Sequence, residues 1–330
     1  MNETLNQTLD IFREKDSFLL AGHEQPDGDC IGSEIALALL LKKWDKEVHI
    51  YNPDPPDSIY YFVPYIQWVK STLPEDPVDV AVILDSGDLA RTGLAEGYIE
   101  DVETLINVDH HPESFSFGDI SLVNPDVSSV GEIIYNMYQE TGETISKEAA
   151  QALYISLVTD TGSFRYANTQ ASSHEAAAEL IRTGYIDPYR IYSKLYEREN
   201  FESTKLFGQV LSNIHEDDGI IWAEVPLDLF DEAGTDPRDL KAVLEYMRRI
   251  DLCKVAILFQ QRSMDEVKIN FRAKADFNLL SVVGEFNGGG HEKAAGATVE
   301  GSLEDVRSEV LSTLKESLSS ASLSGSGYQS

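Results

Sequence analysis

The sequence predicts an α/β protein of two domains: a first domain built on a parallel sheet with helices on both faces, and a smaller α/β domain joined to it by a helical linker. Three observations support this prediction. The first half alternates short apolar runs with longer amphipathic segments, as in strands and helices wound into a parallel sheet. Beyond about residue 214 strand-like runs dominate, and a chain of 330 residues is long enough for two separate cores.

Four apolar runs in the first half have the composition of strands that are buried on both faces. They lie at residues 18–21, 48–51, 80–84 and 105–108. Apolar residues at helical spacing predict helices over 32–44 and 146–158. Ser129 and Glu132 are spaced as in a capping box, which predicts a further helix from there to about Glu140.

The second half begins with a polar, helix-compatible segment over 187–214, which we interpret as the linker. Strand-like runs follow at 220–225, 255–261 and 267–273, with helices expected over 239–250 and 303–318. The small polar residues at the end predict a frayed tail. The predicted organisation is therefore a first domain over 1–187, a linker over 188–214, a second domain over 215–318 and a flexible tail over 319–330.

The charge of the chain is strongly acidic, with 26 Lys and Arg against 57 Asp and Glu and a net charge of −31. Such a chain lacks the broad basic face that binds long nucleic acids, so we expect no long duplex as a partner. A small phosphate site is still compatible, because charges farther apart than about 8 Å are screened at physiological salt. The acidic surface is explained equally by a saline cytoplasm or by ordinary solubility.

The two cysteines, Cys30 and Cys253, are too few for a disulfide framework or a four-thiolate zinc site. They indicate a reducing compartment. The first residues lack the basic start and apolar run of a signal peptide, and no run of about 18 apolar residues occurs. We therefore expect a cytoplasmic protein without a membrane partner.

Ligand-type side chains follow three of the predicted strands. In chain order these are His23, Asp27 and Asp29, then Asp85, then Asp109, His110 and His111. Asp160 lies where a predicted helix gives way to a glycine turn. Because open α/β sheets bind ligands at the carboxyl ends of their strands, we expect these side chains to form one site.

Carboxylates with a few imidazoles suit manganese or magnesium better than a thiolate-seeking metal. About six such ligands exceed what one ion needs, which favours two ions about 3.5–4 Å apart that share a carboxylate and a bridging hydroxide. Alone, the Asp27-Gly28-Asp29 segment is more typical of an ordinary turn, and a His-His pair of a surface position. Their recurrence at separate strand ends favours metal binding.

The set His23-x-x-x-Asp27-x-Asp29, Asp85, Asp109-His110-His111 and the segment DTGSFRYANT from Asp160 resembles the signature motifs of the DHH phosphoesterase superfamily. Gly288-Gly289-Gly290-His291-x-x-Ala294-Ala295-Gly296 resembles the glycine-rich motif of the DHH-associated substrate-binding domain. The resemblance covers about residues 5–318. Within the superfamily, the length and domain pair are similar to the NrnA-like oligoribonuclease and pAp phosphatase group.

The resemblance implies a role for each residue of the first set. His23 and Asp27 bind one ion, Asp29 and His110 bind the other, Asp85 bridges the two, and Asp160 completes the cluster. His111 faces the substrate phosphate, as an electrostatic stabiliser or as a proton donor to the leaving oxygen. Asp109 accepts from a histidine N–H and fixes its orientation.

In the second domain, the resemblance makes Arg272 the candidate clamp for a terminal phosphate. Gly288, Gly289 and Gly290 allow backbone amides to approach an anionic oxygen, His291 adds a donor, and a helix-like segment over 294–296 would add a dipole. Arg91 either reaches the site or pairs with Asp88.

The sequence departs from the pattern at two places. Ala273 follows Arg272 where relatives usually have Ser, so a hydroxyl contact to the substrate is missing. Val130-Gly131 stands where Thr-Ala is common, which we expect to change only helix packing.

The function implied is a phosphodiesterase and phosphatase in which hydroxide held by two divalent ions, manganese or alternatively magnesium, attacks phosphorus in line. The expected substrates are RNA oligomers of a few nucleotides and nucleotide bisphosphates such as 3′-phosphoadenosine 5′-phosphate (pAp). A homodimer is left open. The alternatives are hydrolysis of c-di-AMP or pApA, RecJ-like exonuclease action, and a nucleotide-binding protein with a dead site.

Overall fold

The computed structural model describes residues 2–112, 114, 117–198, 200–229, 240–274 and 277–324. The chain divides into two compact units, Met1–Arg198 and Glu199–Ser330. This division falls inside the predicted linker, whose ends stay predictions. Among the described residues, every helix is too short or too polar to cross a membrane.

The first unit is built on a parallel sheet of six strands. They are β1 (Ser17–Ala21), β2 (Glu47–Tyr51), β3 (Val69–Lys70), β4 (Val80–Leu84), β5 (Thr104–Asp109) and β6 (Ile120–Val123). The order across the sheet is β3-β2-β1-β4-β5-β6, so the winding direction reverses between β1 and β4. Ligands of open α/β sheets bind at such a reversal, outside the carboxyl ends of the strands. All four predicted strands of this half are confirmed.

Seven helices are described in the first unit. They are α1 (Asn2–Glu14), α2 (Gly28–Lys43), α3 (Glu96–Glu100), α4 (Val130–Thr141), α5 (Lys147–Asp160), α6 (Ala171–Arg182) and α7 (Pro188–Tyr196). The largest apolar core lies between one face of the sheet and the longer helices. The other face packs against α3 and a 3-10 turn at Leu89–Thr92. The predicted sheet with helices on both faces is confirmed.

One helix start and one helix cap differ in detail from the prediction. Helix α2 begins at Gly28, four residues early, because the carboxylate of Asp27 caps its first turn. At α4, Ser129 Oγ accepts from the amide of Glu132 at 3.2 Å, as predicted. The Glu132 carboxylate, however, accepts from the amide of Ser128 at 3.2 Å, so only half of the capping box forms.

The second unit contains a mixed sheet of six strands. They are β7 (His215–Asp217), β8 (Ile220–Val225), β9 (Val255–Ser263), β10 (Glu266–Ala273), β11 (Gly289–His291) and β12 (Ala294–Glu300), in the order β11-β12-β10-β9-β8-β7. Strands β8 and β9 are parallel and the other neighbours antiparallel. One face packs on α8 (Phe201–Ser212) and α9 (Lys241–Arg248), and the other on α10 (Leu280–Glu285) and α11 (Leu303–Ser324).

Three expectations for this half need correction. The linker contains two helices, α7 and α8, because the chain leaves the helical conformation after Glu197 and Asn200 caps a new helix. Residues 294–296 are not helix-like but begin β12, whose small side chains lie between β10 and β11. Helix α11 continues to Ser324, so the predicted tail begins as helix, and residues 325–330 lie outside the described part.

Candidate metal centre

The loop after β1 and the first turn of α2 position the first three candidate ligands. Asp27 Oδ1 accepts from the amides of Asp29 and Cys30 at 2.9 and 3.1 Å, which holds the carboxylate at the helix N-terminus. His23 and Asp29 are buried and Asp27 is exposed. The positive end of the helix dipole favours carboxylates here, so the local fold supports an acidic site.

Asp85 lies directly after β4 and has a φ of 57°, in the left-handed region that few residues other than glycine adopt. This conformation directs its two carboxylate oxygens to two different histidines. Oδ2 lies 3.6 Å from Nε2 of His23, and Oδ1 lies 3.7 Å from Nε2 of His110. The carboxylate is therefore placed between the two groups that it was expected to bridge.

Both histidine rings are oriented by their other nitrogen. His23 Nδ1 lies 2.7 Å from the carbonyl oxygen of Glu24, which must accept, so the proton is on Nδ1 and Nε2 presents a lone pair. The His110 ring hydrogen-bonds the backbone of Val127, and its Nε2 is buried without a hydrogen-bond partner among the described residues. An unpartnered lone pair that faces carboxylates fits a cation, and the fit of a metal at this site rests on this observation.

Ligand atoms lie within 4.8 Å of one another in two groups that match the expected division between two ions. The first group is His23, Asp27 and Asp85, and the second is Asp29, His110 and Asp160. A third combination, Asp85 with His110 and His111, is also close enough. In that combination, however, Nδ1 of His111 is engaged with Asp109 Oδ1 at 2.8 Å.

The negative charges of the carboxylates in this cluster repel one another when no cation is bound. Burial, with repulsion from neighbouring carboxylates, raises the pKa of Asp29 and of Asp160 to about 7 and that of Asp85 well above its ordinary range. Burial also lowers the pKa of His110, which favours the neutral ring that a metal needs. Oxygen and imidazole donors in this number suit hard divalent ions.

His111 differs from His110 in exposure and in partner. Its side chain is 46% exposed, against 9% for His110. Nδ1–H donates to Asp109, and this hydrogen bond is the main cause that raises the pKa of His111. Burial alone would raise the pKa of Asp109, but its hydrogen bonds, chiefly the one from His111, lower it. Because Nδ1 binds Asp109, the other ring nitrogen of His111, Nε2, points away from Asp109.

Asp29 is held by groups that the sequence analysis did not identify. Its oxygens accept from the amides of Val130 and Gly131 at 2.8 and 3.1 Å and from the hydroxyl of Ser156 at 2.6 Å. A Cβ at position 131 would lie 1.9 Å from Ser156 Oγ, so this serine requires the glycine. The glycine thus makes room for Ser156 of α5 beside α4, and the expectation that the departure at Val130-Gly131 changes only helix packing stays a prediction.

Asn52 was likewise missed as a support for the site, whereas Asn168, in the segment that follows Asp160, was expected to be architectural. Asn52 is fully buried directly after β2, and its Oδ1 accepts from the amide of Gly22, next to His23, at 2.9 Å. Its Nδ2 donates to the buried Glu34 at 2.9 Å. Asn168 Nδ2 donates to Asp160 Oδ2 at 2.9 Å. A polar residue at the end of an apolar strand was the one signal for Asn52.

Arg91 does not form the expected pair with Asp88, and the alternative that it reaches the site stays a prediction. Its side chain is exposed, and its guanidinium forms no ion pair with Asp88 or any other described residue. Its backbone carbonyl instead accepts from the amide of Glu24 at 2.8 Å, which ties the 3-10 turn at Leu89–Thr92 to the loop after β1.

In the second unit, the sheet register aligns Arg272 with Ala294 and Ala294 with His291 on three adjacent strands. Residues opposite each other share a face, so the two candidate binding side chains lie on one side of the sheet, about 10 Å apart at the backbone. Arg272 Nε donates to Glu245 at 3.1 Å. Ala273 points to the other face and is buried in its apolar core, so this position offers no polar contact.

The three glycines before His291 differ in what surrounds them. A Cβ at position 288 would meet the carbonyl oxygen of Gly296 at 2.5 Å, and one at 290 that of Ala294 at 2.6 Å. Gly289 has no atom within 4 Å of the Cβ position. Packing explains the outer two glycines, whereas the middle one leaves its backbone open to solvent.

Comparison with known proteins agrees with this geometry. The DHH family N-terminal domain matches residues 17–157, and the DHHA1 domain matches residues 217–320. Together they cover most of the chain, and the protein belongs to the DHH family.

Two curated relatives match nearly the whole chain, and both are named bifunctional oligoribonuclease and PAP phosphatase NrnA. The protein of Thermus thermophilus is 29% identical over 92% of this chain and 90% of its own, and that of Bacillus subtilis is 25% identical over 91% and 93%. A crystal structure of an exopolyphosphatase-related protein from Bacteroides fragilis has the same fold. It has a TM-score of 0.83 at 24% identity and covers 97% of this chain and 96% of its own.

Proposed function

We propose that this chain is a cytoplasmic, manganese-dependent phosphoesterase that releases mononucleotides from short oligoribonucleotides and AMP from pAp. The observation that carries the proposal is the pair of ligand groups that meet at Asp85, each with a histidine Nε2 turned to carboxylates. The two full-length relatives named for these substrates support the choice of substrate.

His23 and Asp27 would hold one ion and Asp29, His110 and Asp160 the other, with Asp85 between them. Two divalent cations, when bound, neutralise charge on the phosphoryl oxygens and supply an attacking water at neutral pH. Magnesium fits the same donors. The protein's part is to fix the ligands before substrate arrives, through the amides at α4, the hydroxyl of Ser156 and the amide of Asn168.

His111 is assigned to the substrate and not to a metal. Asp109 fixes the ring through Nδ1, and the other ring nitrogen is free to donate to a phosphoryl or leaving oxygen. His111→Gln should therefore lower kcat by about 10²–10⁴-fold while manganese affinity is unchanged. An equal loss of manganese affinity would instead place His111 among the metal ligands.

The substrate proposal is tested by turnover of pAp, 5′-phosphorylated triadenylate, pApA and c-di-AMP, each with manganese and each followed by separation of the products. We expect AMP from pAp and mononucleotides from the trinucleotide. Faster hydrolysis of c-di-AMP than of the other three would contradict the proposal. End-labelled trinucleotide in the same assay reports the end from which hydrolysis begins.

The matched inactive control is Asp85→Asn. Asparagine tolerates the left-handed backbone at this position, so the fold is kept while the bridging charge is removed. Manganese-dependent turnover of every substrate should be lost. Activity equal to that of the unaltered protein would show that Asp85 has no part in hydrolysis.

A further inference from the structure

A local reversal of charge stands out in the second unit. The segment 245–274 has seven Lys and Arg against four Asp and Glu, in a chain whose net charge is −31. Five of these cations lie at or near the end of α9, the start of β9 or the end of β10: Arg248, Arg249, Lys254, Arg272 and Lys274. In an acidic protein, such a cluster is a place where an anion meets the least repulsion.

Three of the five cations are engaged by groups other than the carboxylate of Glu245. Lys274 Nζ donates to the carbonyl oxygens of Ile250 and Asp251 at 2.8 and 3.1 Å, after the end of α9. Lys254 Nζ donates to the carbonyl oxygen of Asp218 at 3.0 Å. The guanidinium of Arg249 lies over the ring of Tyr246, 5.9 Å from its centroid. These contacts leave Arg248 and Arg272 as the cations to consider for a ligand.

Glu245 holds both of these arginines. Its Oε1 accepts from Arg272 Nε at 3.1 Å, and its Oε2 accepts from Arg248 Nε and Nη2 at 3.1 and 2.8 Å. Arg272 Nη2 and Arg248 Nη1 make no hydrogen bond with any described residue. The side chains are 28% and 45% exposed, so both guanidinium groups remain accessible while one carboxylate fixes their spacing.

We propose that Arg248 is a second phosphate-binding residue beside Arg272, and that Glu245 positions the two guanidinium groups for adjacent phosphates of one short oligonucleotide. The proposal rests on the proposed function and deepens it, since it explains how one site serves substrates of different length. In pAp, one phosphate is hydrolysed and the other is left for Arg272. In 5′-phosphorylated triadenylate, a third phosphate is available to Arg248. Guanidinium groups suit this role because they bind phosphate oxygens with paired donors.

The test compares KM values of Arg248→Ala, Arg249→Ala and Arg272→Ala for pAp and for 5′-phosphorylated triadenylate. Arg249 is the matched control, since it is the neighbouring residue with the same charge but is stacked on Tyr246. Arg248→Ala should raise KM for the trinucleotide about tenfold, the loss expected for one charge-assisted hydrogen bond, and change KM for pAp much less. Arg272→Ala should raise KM for both substrates, and Arg249→Ala should leave both KM values unchanged.

A binding measurement separates this proposal from the proposed function. Titration calorimetry of 5′-phosphorylated triadenylate into Asp85→Asn protein measures binding without turnover. The affinity for the trinucleotide should fall as KCl is added. The slope of log affinity against log KCl concentration should be less steep by about 0.7 when Arg248 is replaced by Ala as well. An unchanged slope and affinity in Arg248→Ala would overturn the subsite even if the enzyme is active. Equal effects of Arg248→Ala and Arg249→Ala would also overturn the proposed subsite, because they would indicate non-specific electrostatic attraction between the arginines and the trinucleotide. Absence of turnover in the unaltered protein, with the predicted binding, would contradict only the proposed function.

Discussion

Asn52 touches none of the candidate ligands, yet it fixes the backbone from which His23 extends. Its Oδ1 accepts from the amide of Gly22, and its Nδ2 is held by Glu34, which is itself fully buried. Position 22 has no room for a side chain, because a Cβ on Gly22 would lie 2.0 Å from Cys30 Sγ. The amide of Asn52 therefore belongs to the support of the site.

Asn52→Ala should weaken manganese binding by about 10–100-fold, as expected for loss of a group that orients a ligand. It should also destabilise the protein by about 1–3 kcal/mol, because the Gly22 amide and Glu34 lose their partner. Calorimetric titration with manganese and thermal unfolding measure the two effects. Asn213→Ala, an exposed asparagine in the other unit, is the control. Manganese affinity equal in the two variants would show that Asn52 has only a structural role.

The candidate ligands were predictable from sequence because acidic and imidazole side chains at strand ends form a local pattern. Several of the groups that hold them were not predictable. Ser156 donates to Asp29 across 127 positions of the chain, and the Gly22 amide meets Asn52 across 30. A hydroxyl or amide in a single sequence gives no sign of such a distant partner, so these supports became visible only once the helices and strands were packed.

At the scale of elements, the starts of β1 and β4 are tied together by one carboxylate. Asp79 Oδ2 accepts from the amides of Ser17 and Asp16 at 2.8 and 3.0 Å, and the Asp79 amide donates to Ser17 Oγ at 2.9 Å. The hydrogen bond from the Ser17 amide is the main cause that lowers the pKa of Asp79 below its ordinary 3.8. This tie fixes the two strands whose opposite ends carry the candidate ligands.

Asp79→Ala should lower the free energy of unfolding at neutral pH by about 1 kcal/mol, a modest loss because the group is only partly buried. A carboxyl group whose pKa is lowered by folding stabilises the protein above its unfolded pKa, and this contribution disappears as pH falls through the folded value. The difference in Tm between the unaltered protein and Asp79→Ala should therefore be present at pH 7 and shrink below the ordinary pKa of 3.8. A difference that is constant from pH 7 to pH 3 would show that charge on Asp79 has no part.

The strands with continuous apolar runs were predicted well, whereas the helices α1 and α6, of 13 and 12 residues, and the shortest strands were not predicted. The apolar runs of β1, β2, β4 and β5 predict strands directly. Strand β3 has two residues and β11 has three, which are too few to show a strand pattern in the sequence. Strand β12 was misread because Ala294, Ala295 and Gly296 have low strand propensity. Pairing with β10, from Arg272 opposite Ala294 onward, decides its conformation, and that pairing is a tertiary contact.

At the scale of the whole molecule, the excess of acid is compatible with phosphate binding because cations are concentrated at a few places. The metal centre supplies positive charge only when metal is bound, and the arginines of α9 and β10 lie in a segment whose own charge is positive. Elsewhere the acidic residues repel one another and long polyanions. We therefore expect a preference for very short nucleotides.

Self-repulsion on this scale should make stability depend on salt. We expect Tm to rise as KCl increases toward 1 M, where the screening length falls to about 3 Å. A protein adapted to a saline cytoplasm should unfold when salt is removed, whereas an ordinary acidic surface should stay folded with a small change in Tm. Thermal unfolding over a KCl series measures this, and a Tm that falls with added KCl would contradict the role given to charge repulsion.

The central claim is that two divalent ions bind on either side of Asp85. The most direct measurement is anomalous diffraction at the manganese edge from crystals grown with manganese chloride. The account predicts two peaks, one beside His23 and Asp27 and the other beside His110 and Asp160, both lost in Asp85→Asn. A single peak, or peaks away from Asp85, would contradict it.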